Sequence, residues 1–206
     1  RAEFGIVWET ASGMASRWGF NDDGSVTGAN LPSSAGWRIQ DVGDFEGGGL
    51  GADLLRRNTT TGMVDVLTHA GDQLFAHDVG QAGLDWNIMG AADFNADGKS
   101  DILWRNEHSG YVSAWLMNGD QVQSTFNPGQ VGVEWRIVGA ADYAGSGNAQ
   151  ILWRNAASGE VDMWSINPTT GAASGSAVAT IGLEWRIVGS GDFNGDGKAD
   201  ILWRNS

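Results

Sequence analysis

Apolar positions along this chain fall into short runs separated by polar turns, and the runs repeat. Trp135-Arg136-Ile137-Val138-Gly139 recurs as Trp185-Arg186-Ile187-Val188-Gly189, with looser copies at Trp37-Arg38-Ile39 and Trp86-Asn87-Ile88. Trp37, Trp86, Trp135 and Trp185 stand 49, 49 and 50 residues apart. A second column is Ile-Leu-Trp-Arg-Asn at 102–106, 151–155 and 201–205, degenerate at Ile6-Val7-Trp8 and Leu54-Leu55-Arg56-Arg57-Asn58. A third is Gly-x-x-x-x-Trp, at Gly13 to Trp18, Gly110 to Trp115 and Gly159 to Trp164, with Leu67 in the second copy. A period near 49 residues marks a repeat architecture before any single element is assigned.

Each period predicts four short strands. Strands one (Trp-Arg-Ile-Val-Gly) and two (Asp-Ile-Leu-Trp-Arg-Asn) are nearly continuous in apolar residues, the pattern expected when both faces of a sheet are covered. Strand three, such as Val112 to Leu116, runs into a turn at Asn118-Gly119. Strand four, such as Gln121 to Phe126, alternates and reads as a solvated edge. No window has a 3.6-residue period with helix caps, so no helix is predicted. Four strands per repeat, apolar inside and polar outside, predict an all-β fold, a β-propeller of about four blades. A solenoid is the rival, but its repeats are usually shorter.

The predicted units are a partial blade at 1–33 (strands two to four), blades at 34–82, 83–131 and 132–181, and a partial blade at 182–206 (strands one and two). Strand one at 185–189 would close a four-bladed ring with 1–33 but leave the last strand two redundant. A segment of a larger propeller, or pairing of the surplus edge strand with another molecule, would use that strand. The chain begins at Arg1 without a leader, which reads as a processed form or a fragment.

Two nine-residue loops carry the most specific chemistry. They read Asp93-Phe94-Asn95-Ala96-Asp97-Gly98-Lys99-Ser100-Asp101 and Asp192-Phe193-Asn194-Gly195-Asp196-Gly197-Lys198-Ala199-Asp200. Side-chain oxygens at positions 1, 3, 5 and 9 converge if the loop turns sharply at position 6, where glycine tolerates positive φ. Lys99 and Lys198 would offer backbone carbonyls and leave their side chains to solvent. Hard oxygen donors in this number suit calcium. An EF-hand is excluded, because position 12 is Trp104 or Trp203 rather than a bidentate Glu before a helix. A third loop with Asp44, Glu46 and Asp53 keeps three acids but carries an extra residue, so weak binding or none is expected there. The loop at 142–150 keeps only Asp142 and is expected to be empty.

Composition narrows the function. The formal net charge of −13 opposes binding to a phosphate backbone. There is no cysteine, hence no disulfide and no thiolate metal site, which leaves bound calcium as an available staple. No apolar run approaches the ~20 residues of a membrane span. The tryptophans, 11 in all, fall entirely in the three columns and read as packing between units. Arginines recur beside them: Arg38, Arg136 and Arg186 after the first Trp, and Arg57, Arg105, Arg154 and Arg204 in the second column. They read as stacked or ion-paired packing elements. His69, His77 and His108 share no repeat position and read as surface residues. No nucleophile elbow or histidine pair for a catalytic metal is present, so no enzyme is expected.

The run Asp-Phe-Asn-Gly-Asp-Gly-Lys-Ala-Asp-Ile-Leu-Trp at 192–203, its copy at 93–104 and the intervening Gly-x-x-x-x-Trp strands resemble the FG-GAP/VCBS-type repeats, found also in integrin α-chain heads. That resemblance implies a secreted or cell-surface protein, bacterial in setting, with structural calcium on the outer side of the ring. It is compatible with an extracellular binding or adhesion module, for which glycans suit tryptophan faces, or another surface protein. The alternative is a structural unit, either an accessory domain of a larger secreted protein or a self-assembling filament subunit.

Overall fold

The computed structural model describes residues 5–10, 12, 14–20, 23, 25–31, 34–48, 52–70 and 73–206. Among these all regular structure is extended, in seventeen strands. Three complete antiparallel sheets follow one another. The first has β4 (Trp37–Gly43), β5 (Asp53–Asn58), β6 (Met63–Ala70) and β7 (Gln73–Gln81). The second has β8 (Trp86–Ala92), β9 (Asp101–Asn106), β10 (Tyr111–Asn118) and β11 (Gln121–Gln130). The third has β12 (Trp135–Ala141), β13 (Gln150–Asn155), β14 (Glu160–Ile166) and β15 (Ala173–Thr180). They are flanked by a three-stranded sheet, β1 (Gly5–Glu9), β2 (Ala15–Phe20) and β3 (Val26–Leu31), and by a hairpin, β16 (Trp185–Gly191) and β17 (Asp200–Asn205).

The fold is all-β and blade-based, of the β-propeller type. Strand one of each blade (β4, β8, β12, β16) lies beside its counterpart in the next. Each of these strands carries a bulge at one repeat position, between Ile39 and Asp41, Ile88 and Gly90, Ile137 and Gly139, and Ile187 and Gly189. A bulge adds local twist and bends the strand, which suits a sheet that must fan outward from its first strand.

Strand two is where burial concentrates. Every residue of β9 and β13 is buried, and its two faces pack on different neighbours. Phe45, Leu55, Val64 and Val66 of one blade pack with Ile102, Trp104 and Met117 of the next. Phe94, Leu103, Val112 and Ala114 repeat the arrangement one blade on, with Ile151, Trp153 and Ile166. Strand one departs from the expected cover on both faces: β4, β8 and β12 are mostly half-buried. The reason is topological, since each is the edge of its sheet and pairs on one side only.

The arginines of the second column reach forward into the next blade. The Arg57 guanidinium carbon lies 5.2 Å from the Trp104 ring centroid, Arg105 4.8 Å from Trp153 and Arg154 5.2 Å from Trp203. The same side chains donate to carbonyls of the segment linking the two blades. Arg57 bonds Gly83 O at 2.8 Å, Arg105 bonds Gly132 O at 2.9 Å, and Arg154 bonds Ile181 O and Gly182 O at 2.8 and 2.9 Å. Burial pulls the Arg57 and Arg105 guanidiniums below the usual arginine range. Each arginine therefore ties a linker down and roofs the following tryptophan, as the stacked-packing reading anticipates.

Trp153 is 1% exposed, whereas its counterpart Trp203 is half-buried. Trp153→Ala is therefore expected to cost about 3–5 kcal/mol in chemical denaturation. Trp203→Ala should cost less than half as much. Equal losses would show that burial between blades does not set the contribution of this column.

Candidate metal centre

The candidate loops join strand one to strand two in the four units from β4 onward, at 44–53, 93–101, 142–150 and 192–200. Their shape comes from the first Asp folding back on the loop's own N–H groups, the Asx-turn habit of this side chain. Asp93 Oδ1 accepts from Ala96 N at 2.6 Å and Oδ2 from Gly98 N at 2.8 Å. Asp192 makes the same pair with Gly195 N and Gly197 N at 2.7 and 2.9 Å. Asp142, in the loop with one acid, accepts from Ser146 N and Gly147 N at 3.0 and 2.7 Å. Asp44 accepts from Gly47 N at 2.7 Å. Gly98 and Gly197 take φ of 81° and 82°, the left-handed turn that position 6 requires.

Position 9 closes each loop from the strand-two side. Asp101 Oδ2 accepts from Phe94 N at 2.8 Å while Oδ1 accepts from Met117 N at 2.8 Å, so one buried carboxylate ties the loop to strand three. Asp53 and Asp200 accept from Phe45 N and Phe193 N, and Gln150 substitutes with Ala144 N. Burial pushes the Asp101 carboxyl up to about 7; the negative Asp97 and Asp93 add to this, and the two N–H bonds oppose it. Burial also raises Asp53.

Positions 3 and 5 differ between loops. Asn95 Oδ1 and Asp97 Oδ1 accept only from N–H groups two residues on, Asp97 N at 3.0 Å and Lys99 N at 2.9 Å. Asn95 Nδ2 also donates to Asp97 Oδ2 at 3.1 Å. Asn194 and Asp196 repeat the pattern with Asp196 N and Lys198 N, both at 2.9 Å. At 142–150 these positions are Ala144 and Ser146. Among the described residues no three Asp, Glu or His side chains converge closely enough to hold a cation. The structure thus brings Asp93, Asn95, Asp97 and Asp101 onto one loop, and Asp192, Asn194, Asp196 and Asp200 onto another, with their oxygens turned to the loop's own N–H groups. The donors fit a hard cation in type. In the Asp44, Glu46 and Asp53 loop, residues 49–51 lie outside the described residues.

Two features were not visible in the motif. The loops form a chain, because the N–H at position 8 donates to the position 1 carbonyl of the preceding blade. The bonds are Ser100 N to Asp44 O, Ala149 N to Asp93 O and Ala199 N to Asp142 O, at 2.7, 2.6 and 2.9 Å. Lys198 is exposed, as expected, and Lys99 is half-buried, while the stems of both lie against a glycine of the preceding loop. A Cβ at Gly47 would sit 3.2 Å from Lys99 Cγ, and one at Gly145 3.0 Å from Lys198 Cγ. Lys99 Nζ also donates to Asn118 Oδ1. An aliphatic stem covers a glycine there, the usual way a lysine buries its methylenes. His77 faces Asp120 of the next blade at 3.1 Å, His108 is exposed, and the side chain of His69 lies outside the described residues.

Residues 185–206, which contain the last of these loops, match the FG-GAP repeat. No curated protein matches the chain. Among solved structures, the chain is similar to a Photorhabdus luminescens Tc holotoxin pore at 15% identity and a TM-score of 0.56, over 98% of this chain and 10% of that one. A Bacteroides uniformis protein assigned as a 6-phosphogluconolactonase aligns at 14% identity and a TM-score of 0.49, over 88% of this chain and 59% of that one. The first likeness concerns the fold alone. The chain spans about a tenth of the holotoxin chain it matches and under two thirds of the second.

Asp101→Ala would leave Phe94 N and Met117 N without their acceptor. A loss of about 1–3 kcal/mol is expected even in chelator. Asp97→Ala, at an exposed position, should change stability in chelator by under about 0.5 kcal/mol. Comparable losses at both positions in urea titrations would contradict this division of labour.

Proposed function

We propose that the chain is a non-catalytic, calcium-braced module of a secreted or cell-surface protein, serving as an accessory or binding unit. One observation carries the calcium reading. Positions 1 and 9 build the loops at 93–101, 142–150 and 192–200, and the 142–150 loop keeps its shape with Ala144 and Ser146 at positions 3 and 5. The loop shape thus does not require the oxygens of Asn95, Asp97, Asn194 and Asp196. They are retained where a cation would need them.

Asp93, Asn95, Asp97 and Asp101, with the Lys99 carbonyl, would hold one ion. Asp192, Asn194, Asp196 and Asp200, with the Lys198 carbonyl, would hold the other. A bound calcium supplies a multidentate cross-link between strand one and strand two. The chain's own groups do the rest. The Asx turns set the backbone, the position 9 acid fixes the loop to the sheet, and the position 8 N–H passes that restraint to the blade before. The accessory-unit reading is supported by the division of the buried polar groups. Arg57, Arg105 and Arg154 hold linkers and the loop carboxylates hold turns, so these polar groups serve the scaffold.

Metal that binds only the folded chain stabilises it by RT ln(1 + [L]/Kd), or ~2.7 kcal/mol at a hundredfold excess over Kd. Calcium should accordingly raise the melting temperature above that in chelator. Asp97→Ala combined with Asp196→Ala should abolish most of this response and leave the chelator baseline in place. A parent chain that melts at one temperature with and without calcium would sink the reading.

A further inference from the structure

The 142–150 loop keeps a single acid, yet it lies between the two loops that carry the full donor set. Both of them grip it. From the blade before, Asp93 turns its carboxylate to N–H groups of its own loop and its backbone carbonyl to Ala149 N, at 2.6 Å. The two turns also lie side by side, since a Cβ at Gly147 would sit 3.8 Å from Ala96 Cβ. From the blade after, Ala199 N donates to Asp142 O at 2.9 Å and the Lys198 stem lies against Gly145. Ala199 stands between Lys198 and Asp200, whose carbonyl and carboxylate are proposed donors. A third tie is peculiar to this loop. Tyr143 occupies the place of Phe45, Phe94 and Phe193, and its hydroxyl is 2.5 Å from Ser190 Oγ on β16. Asp142 carries the grip inward, because its carboxylate accepts from Ser146 N and Gly147 N at 3.0 and 2.7 Å.

We propose, resting on the calcium reading, that ions held at 93–101 and 192–200 order the 142–150 loop from both sides, so that it needs no ion of its own. The ground is linkage. An opening of 142–150 that breaks the bond from Ala149 N displaces the backbone of Asp93, a proposed donor. One that breaks the bond from Ala199 N displaces the backbone between two proposed donors. Either opening competes with metal held next door, so metal in the neighbour makes it rarer. The reach of each site therefore extends one blade beyond its own ligands: forward from 93–101 and backward from 192–200.

Calorimetry for calcium binding and amide exchange followed by NMR test this together. In the parent chain, calcium at a hundredfold excess over Kd should slow exchange at Ala149, Ser146 and Gly147 at least about tenfold beyond any slowing across β6. Asp97→Ala should remove the effect at Ala149 and keep it at Ser146 and Gly147, and Asp196→Ala should do the reverse. Both substitutions are at exposed positions outside 142–150, so that loop keeps its own bonds. Absence of calcium binding in calorimetry would overturn the calcium reading and this inference with it. Calcium binding with slowing confined to 93–101 and 192–200 would overturn the inference alone. So would slowing at Ala149 that survives Asp97→Ala, or slowing at Ser146 and Gly147 that survives Asp196→Ala.

Discussion

No blade in this chain can cover its own central strand. Strand two is apolar on both faces, so a lone sheet would leave one leucine face or one isoleucine–tryptophan face in water. Stacking is the only way to remove both from solvent, which makes stability a property of junctions more than of blades. The arginine of strand two is what makes each junction specific. It spends its charge on linker carbonyls and its flat face on the next tryptophan, so the linker path and the blade spacing are set by one side chain. A lysine could not replace it, because a point charge on a flexible stem offers neither the fork nor the plane.

The loops form a second line of connection at the strand-one to strand-two turns. Backbone bonds from position 8 to the preceding position 1 carbonyl join all four into one run, whether or not a loop keeps its acids. The lysines add a side-chain layer to two of the contacts, each lying over a glycine that leaves room for it. Erosion of a loop is tolerated on this account. Losing the oxygens at positions 3 and 5 removes cation donors and two local N–H acceptors, but the bonds from positions 1 and 9 remain.

Much of this was legible in the sequence, because a repeat prints its contacts as columns. The tryptophan and arginine columns pointed to packing between units, and periodic apolar runs separated by turns pointed to four-stranded blades. The columns do not show direction, however. Nothing in Trp-Arg-Asn says that the arginine reaches the tryptophan of the following blade rather than its own neighbour. Nor does an Asp-x-Asn-x-Asp-Gly motif separate the acids that fold a loop from those left over. Asp101 reads as one more ligand, yet it is a buried acceptor joining two strands. Strand one reads as fully covered because it is apolar, but its small residues sit on a sheet edge, where composition and burial part company.

The junction between the first two sheets shows how far the column can drift while the constraint holds. There the arginine position is Glu9 and the tryptophan position is Arg56, so both members of the rung have changed. Arg56 lies 5.2 Å from the ring centroid of Trp37 in its own sheet. It is answered within its own sheet by Asp65, the residue directly opposite on strand three, through Nε at 2.9 Å and Nη2 at 2.5 Å. Both side chains are almost fully buried. Removing either partner of a buried pair strands the other charge, at a penalty of about 3–5 kcal/mol. The neighbouring blades place Trp104 opposite Ser113 and Trp153 opposite Asp162 at the same register. The position therefore accepts either an indole roofed from the blade before or a guanidinium neutralised in place. The residue opposite can change with either, as Ser113 and Asp162 both face an indole while Asp65 faces the guanidinium.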